Sequence, residues 1–190
     1  MKKGLKKAAG MLILSLIMLT AVPASAEMVY INSRDGLRVR EKPGGEVVDI
    51  IPFGTAVRIL DGKDKKAGKG WLHIDYGDNG AYISAEFTQK TNPLAEMTHM
   101  GEWRITAYAE TGFPCANGNY PEEGYTIACN SLPFGAEVYI SGVGFRVVED
   151  RGPDWMGDEW LDLYMADEWD CIQWGNQYRD VFVVEDQGEE

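Results

Sequence analysis

The chain is short of basic charge: 18 lysines and arginines stand against 30 aspartates and glutamates, a formal charge of −12. So acidic a chain offers no basic stripe to neutralise nucleic-acid phosphates and no polybasic cluster for anionic lipid. Histidine is scarce too. Its two copies, His73 and His99, lie far in sequence from the three cysteines. With no Cys-x-x-Cys either, a zinc site is not expected, and Cys129 has no nearby histidine to activate it as a nucleophile. Beyond Val22 the sequence also lacks any apolar run near the roughly 20 residues that span a bilayer.

The single long apolar stretch is at the start. Four lysines, an apolar segment from Ala8 to Val22 and the small residues Ala24-Ser25-Ala26 form the pattern of a secretory signal peptide cut after Ala26. An uncleaved anchor is the competing reading, for which this apolar core is short. Cleavage would leave residues 27–190 with a formal charge of −16, off the membrane and secreted or extracellular. In that oxidising compartment one disulfide plus one spare thiol is expected of Cys115, Cys129 and Cys171. Cys115 with Cys129 is the favoured pair, because the loop between them is rich in Gly, Asn and Pro, and closing it is worth about 3 kcal/mol.

Two modules follow. Residues 27–87 read as short strands broken by turns. Leu37, Val39, Val47, Ile51, Val57, Ile59, Trp71, His73 and Asp75 show partial period-two alternation, interrupted by Pro-Gly-Gly and Gly-Asp-Asn-Gly, as in a small all-β barrel. Residues 88–102 lack a sustained period and contain a proline, and are expected as a linker. From Trp103 to about residue 186 a second series of strands runs through WRITAYAE, YTIACNSLPFGAEVYISGVGFRVVED, WLDLY and RDVFVVED. A short helix is expected in MADEWDCIQWG, with Trp169 and Ile172 on one face and Gly175 as its stop.

Asp150 and Asp162 each end or sit within a short apolar run, and on residue physics alone they are ordinary candidates for ion pairs with Arg146 or Arg151. Glu149, next to Asp150 on a strand, is expected on the opposite face and in solvent. Asp154, Asp158 and Glu159 fall in a Gly- and Pro-containing loop and are expected to be solvated.

Motifs in both modules resemble known families. LRVREKPGGEVV, PFGTAVRIL and WLHIDYGDNGAYISAEF resemble a bacterial SH3-like domain, which implies a module that binds peptidoglycan, above all its peptide stems. The alternative is a structural spacer, with Trp71, Tyr76 and Tyr82 as core or rim aromatics. Over 103–184 the ordered elements Thr106-Ala107-Tyr108, Pro133-Phe134-Gly135, Glu149-Asp150-Arg151-Gly152 with Gly157, Leu161-Asp162 and Trp174-Gly175 resemble the three-aspartate (3D) domain. That family is similar to the double-psi β-barrel of lytic transglycosylase A and of stationary-phase survival proteins. The resemblance implies a six-stranded barrel with a short helix.

It also implies a chemistry. The second and third family aspartates match Asp150 and Asp162, while the first position holds Asn130. A lytic transglycosylase turns the C6 hydroxyl of the muramic sugar on its own anomeric carbon, so one carboxyl group serves as acid and then base, and no cofactor is needed. The resemblance assigns that role to Asp162, whose pKa must be raised by burial or by a charge such as Asp150. Asn130, Tyr108 and Trp155 are the candidate sugar contacts. The expected activity is peptidoglycan strand cleavage to 1,6-anhydro ends. A non-catalytic wall-binding or wall-loosening protein is the alternative, and a module that controls another wall enzyme is the third reading.

Overall fold

The structure, a computed structural model, describes residues 27–60 and 68–185, so the expected signal peptide lies outside the described residues. The first module contains β1 (Met28–Ile31), β2 (Leu37–Arg40), β3 (Val47–Ile51), β4 (Ala56–Arg58), β5 (Trp71–Ile74), β6 (Ala81–Ser84) and β7 (Thr88–Gln89). They form two small sheets, ordered β4-β1-β7 and β3-β2-β6-β5. Alternation explains their shared core: on β2, Leu37 and Val39 are buried while Arg38 is exposed. Ile31, Ile51, Ile74 and Ile83 complete the apolar interior.

On β5 the buried face is that of Leu72 and Ile74, not that of the alternating Trp71 and His73. Ile74 is buried and Leu72 packs on the core, while His73 points outward and stacks on Tyr82 of β6 at 4.7 Å. His73 and Tyr82 are direct cross-strand partners, and this aromatic pair fixes the face that stays outside. Val47 on β3 is exposed as well.

The second module contains β8 (Met97–Tyr108), β9 (Thr126–Ala128), β10 (Glu137–Ile140), β11 (Gly144–Asp150), β12 (Trp160–Tyr164), α1 (Glu168–Trp174) and β13 (Gln177–Val184). Its strands close into a six-stranded barrel ordered β10-β11-β9-β12-β8-β13. The pairings β9–β11 and β8–β12 are parallel. Ile105, Ile127, Val148, Leu161, Leu163 and Val181 fill the interior. Each such aliphatic side chain contributes about 1.5–3 kcal/mol when fully buried, which leaves the alternate positions of the same strands free to carry polar groups on the outer face.

The stretch 88–102, expected as a linker, is built into the fold. Its first two residues form β7, Pro93–Glu96 form a 3-10 turn capped by the Asn92 side chain, and Met97 already opens β8. Met97–His99 pair with the end of β13. The period is invisible in sequence because Thr98, His99, Met100 and Glu102 are all exposed. Helix α1 forms where expected, with Asp167 accepting from the Trp169 amide and Gly175 at its C-cap. Trp169 and Ile172 share a face, but it looks into solvent, at 65% and 61% exposure.

The modules touch through an aromatic cluster. Phe53 lies 5.4 Å from Tyr139 and 5.0 Å from Phe145, and the Tyr139 hydroxyl donates to the Phe53 carbonyl at 3.0 Å. Arg34 stacks on Phe145 and pairs with Glu137.

Candidate active site on the outer face of the barrel

The register of three adjacent strands builds the site. Across the parallel pair β8–β12, Arg104 faces Trp160, Thr106 faces Asp162 and Tyr108 faces Tyr164. Each row makes a real contact. The Arg104 guanidinium lies 3.7 Å over the Trp160 ring, Thr106 Oγ1 donates to Asp162 Oδ1 at 2.6 Å, and Tyr108 meets Tyr164 edge-on at 5.6 Å. On the other side β9 sets Ala128 opposite both Asp162 and Asp150. One small side chain thus separates the two aspartates, whose Cα atoms stand two strand spacings, about 10 Å, apart.

Asp162 has one oxygen committed and one free. Trp160 Nε1 donates to Thr106 Oγ1 at 2.7 Å, and an indole N–H is only ever a donor. Thr106 must therefore spend its single proton on Asp162 Oδ1. Any proton carried by the carboxyl group then sits on Oδ2, for which the structure shows no partner among the described residues. Burial pushes the Asp162 pKa up; Thr106 and Arg104 pull it down, Asp150 adds to the rise, and the net direction is upward. A raised pKa is the direction of shift that a proton-donating carboxylic acid requires.

Asp150 is differently used. Its Oδ1 accepts the backbone N–H groups of Ala116 at 2.9 Å and Arg151 at 2.8 Å, and its Oδ2 accepts the Tyr108 hydroxyl at 3.1 Å. With both oxygens occupied, Asp150 acts as a clasp for the 115–119 loop and as a fixed negative charge near Asp162. Burial first, and the Asp150 charge second, hold the Tyr108 phenol protonated, so it donates.

Glu149 corrects an expectation. It does not face solvent but is 7% exposed, accepting from Thr126 Oγ1 at 2.7 Å, Asn119 Nδ2 at 2.8 Å and Asn117 Nδ2 at 3.3 Å. A register shift between Val148 and Asp150 is the cause. A bulge sets two residues against one, so strict alternation stops and both carboxylates reach the outer face. Burial raises the Glu149 pKa, but the three donors outweigh it and hold it below the usual carboxylate range.

The expected Cys115–Cys129 disulfide is not formed: Cys129 lies in the barrel core, whereas Cys115 sits outside it beside Tyr108. All three cysteines are free. The loop that such a bond would staple is held instead by hydrogen bonds to Asp150 and Glu149, while Cys129 packs into the barrel core. Burial and then Asp150 push the Cys115 thiol up, so it sits beside Tyr108 as a neutral thiol.

Asn130 is also consumed locally. Its Nδ2 donates to the carbonyls of Pro153 at 3.1 Å and Met156 at 3.3 Å, and its Oδ1 accepts from the Gly152 amide at 3.0 Å. Ser131 adds a bond to the Asp158 carbonyl at 2.6 Å. The loop so fixed presents Trp155, which is 73% exposed and packs 5.5 Å from Trp160. Asp154, Asp158 and Glu159 are exposed on it, as expected.

Of the five candidate residues, the structure therefore brings Asp162, Asp150 and Tyr108 onto one face, with Trp155 reaching it through Trp160. Asn130 supports the neighbouring loop. Arg104 and the proton-directing role of Thr106 escaped the sequence reading, in which Trp160 ranks below Trp155 as a sugar-stacking ring. Their signal was the two-residue spacing of Arg104-x-Thr106-x-Tyr108 and Trp160-x-Asp162-x-Tyr164, which acquires meaning only once the parallel register is known. No family model matches this chain, and no curated protein matches it.

Proposed function

We propose that this chain is an exported peptidoglycan-active protein whose second module cleaves glycan strands as a lytic transglycosylase, with Asp162 as the acid and then the base. The observation that carries this reading is the Asp162 carboxyl group: half-buried, raised in pKa, hydrogen-bonded at Oδ1 and open at Oδ2. The two parallel pairings of the barrel and the motif resemblance to the 3D domain support a double-psi barrel. The strands of the first module support an SH3-like, wall-binding role for it.

In the proposed reaction Asp162 Oδ2 gives its proton to the glycosidic oxygen as the bond from the anomeric carbon of the muramic sugar breaks. The C6 hydroxyl of that sugar forms the new bond to the anomeric carbon and surrenders its proton to the carboxylate just formed. The acid is thus regenerated, and a 1,6-anhydro end is left. Thr106 orients the carboxyl group, Arg104 steadies its anionic form, and Asp150 favours the protonated one. Trp155 and Trp160 offer aromatic faces to the sugar rings.

A non-catalytic glycan-binding reading keeps one specific support. Where the motif resemblance would place a carboxylate, Asn130 stands with its side chain tied into loop contacts. Mass spectrometry of purified peptidoglycan incubated with the wild type and with Asp162→Asn separates the two. Anhydro-muropeptides from the wild type alone support the enzyme. Intact glycan that co-sediments with both proteins refutes catalysis and leaves the binder.

A further inference from the structure

The acidic average of the chain hides a local concentration of arginine. Four of its eight arginines, Arg34, Arg38, Arg40 and Arg146, line two adjoining cavities of about 440 and 620 Å³ that share Asp35, Gly36 and Ile50. Among the described residues, Asp35 is the one acid in either lining. The smaller cavity lies between the modules, where ligand sites are often found.

Within it the two arginines differ. Arg34 is satisfied by Glu137 and by the Phe145 ring. Arg146 is half-buried, yet among the described residues no carboxylate lies within ion-pairing distance of it. Its one hydrogen bond runs from Nη1 to the Phe145 carbonyl at 2.7 Å, leaving most of the guanidinium's donors unspent. Burial alone pushes its pKa down, with no opposing negative charge. A desolvated charge without a counterion is costly to keep, and an incoming anion would relieve the cost. Gly144 keeps the approach open, since a Cβ there would rest in van der Waals contact with Arg146 Nη1, at 3.6 Å.

The rest of the lining decides between anions. Phe53, Phe145, Ile50 and Pro52 put apolar surface beside the guanidinium groups. That mixture suits a peptide with small apolar side chains and a single carboxylate, and suits a more highly charged phosphate poorly, since stripping its water beside apolar surface costs more. We infer that the cleft between the two modules binds the carboxylate of a short peptide, with Arg146 as its anchor. The site uses none of the Asp162 chemistry, so it stands or falls separately from glycan cleavage.

The test is an amide NMR titration of the full-length protein with the tetrapeptide Ala-Glu-Ala-Ala, with the same peptide amidated at both carboxyl groups, and with inorganic phosphate. Saturable shifts at Gly142 and Gly144 are expected from the free acid. Amidation should weaken binding about tenfold or more, the effect of losing a charge-assisted hydrogen bond. Arg146→Gln should weaken it equally, and Arg146→Lys should restore part of it. Should Arg146→Gln lose its amide dispersion, the amidated peptide on the wild type decides alone. Equal affinity for phosphate, equal affinity for the amidated peptide, or full binding by a folded Arg146→Gln would each overturn the assignment.

Discussion

Asn130→Asp is the most informative single change, because it installs a carboxylate where the motif resemblance to the 3D domain would place an aspartate. The wild-type amide meets the loop with the right polarity at every contact: two carbonyls face its NH2 group, and one amide N–H faces its oxygen. In the variant the bond from Gly152 survives, but the two donated bonds are lost, at about 1 kcal/mol each. An ionised oxygen would also confront the Pro153 and Met156 carbonyls. Position 130 is only half-buried, so water relieves part of that repulsion. The expected loss at pH 7 is about 2–3 kcal/mol.

At a pH low enough to protonate the new carboxyl group, its O–H can donate to one of the two carbonyls. The penalty should then shrink to about 1 kcal/mol. The assay is urea unfolding of the wild type and Asn130→Asp at pH 7 and at pH 3.5, followed by tryptophan fluorescence. A variant as stable as wild type at pH 7, or one equally destabilised at both pH values, would refute this account of why asparagine stands here.

Three further expectations follow from the same contacts. Glu149→Gln sets an NH2 group among three donors and should cost about 2–3 kcal/mol in chemical denaturation. Because the Glu149 pKa is held low in the folded state, that stabilisation should be full above the ordinary carboxylate range and fade as pH falls through the folded value. Asp162→Asn should show the opposite sign. The folded-state pKa is raised, so the variant should be more stable than wild type at pH 7, with the gap closing in acid, and a variant less stable at pH 7 counts against the raised value. Phe53→Ala empties the aromatic cluster between the modules and should cost about 3 kcal/mol, read as a lowered urea midpoint; an unchanged midpoint would deny the interface any energetic weight.

Much of the second module was legible. The apolar runs around Ile105, Ile127, Val148 and Leu161 announced strands, and Gly175 announced the end of α1. The first half of β8 was not, since it is paired on its edges yet solvent-exposed on its side chains, and a strand with no buried face leaves no period. Glu149 was misplaced because alternation cannot foresee a bulge, and the buried face of β5 was not legible because Trp71-x-His73 mimics a core face as well as Leu72-x-Ile74 does. Asp162 was found from its motif, whereas Thr106 gained its role from lying opposite Asp162 across a parallel pair 56 residues distant.

The place of β13 in the barrel bears on how the chain reaches its fold. β13 is the closing stave: it pairs with β10 on one side and with nearly the whole of β8 on the other. Until it docks, β8 and β10 both present open edges, and β8 must wait for partners some 70 to 90 residues later in the chain. Contacts so remote in sequence slow folding, and unpaired edges invite pairing with other chains. An incompletely emerged or C-terminally clipped chain would therefore hold most of its core residues and still be an aggregation hazard, its solubility resting on its last strand.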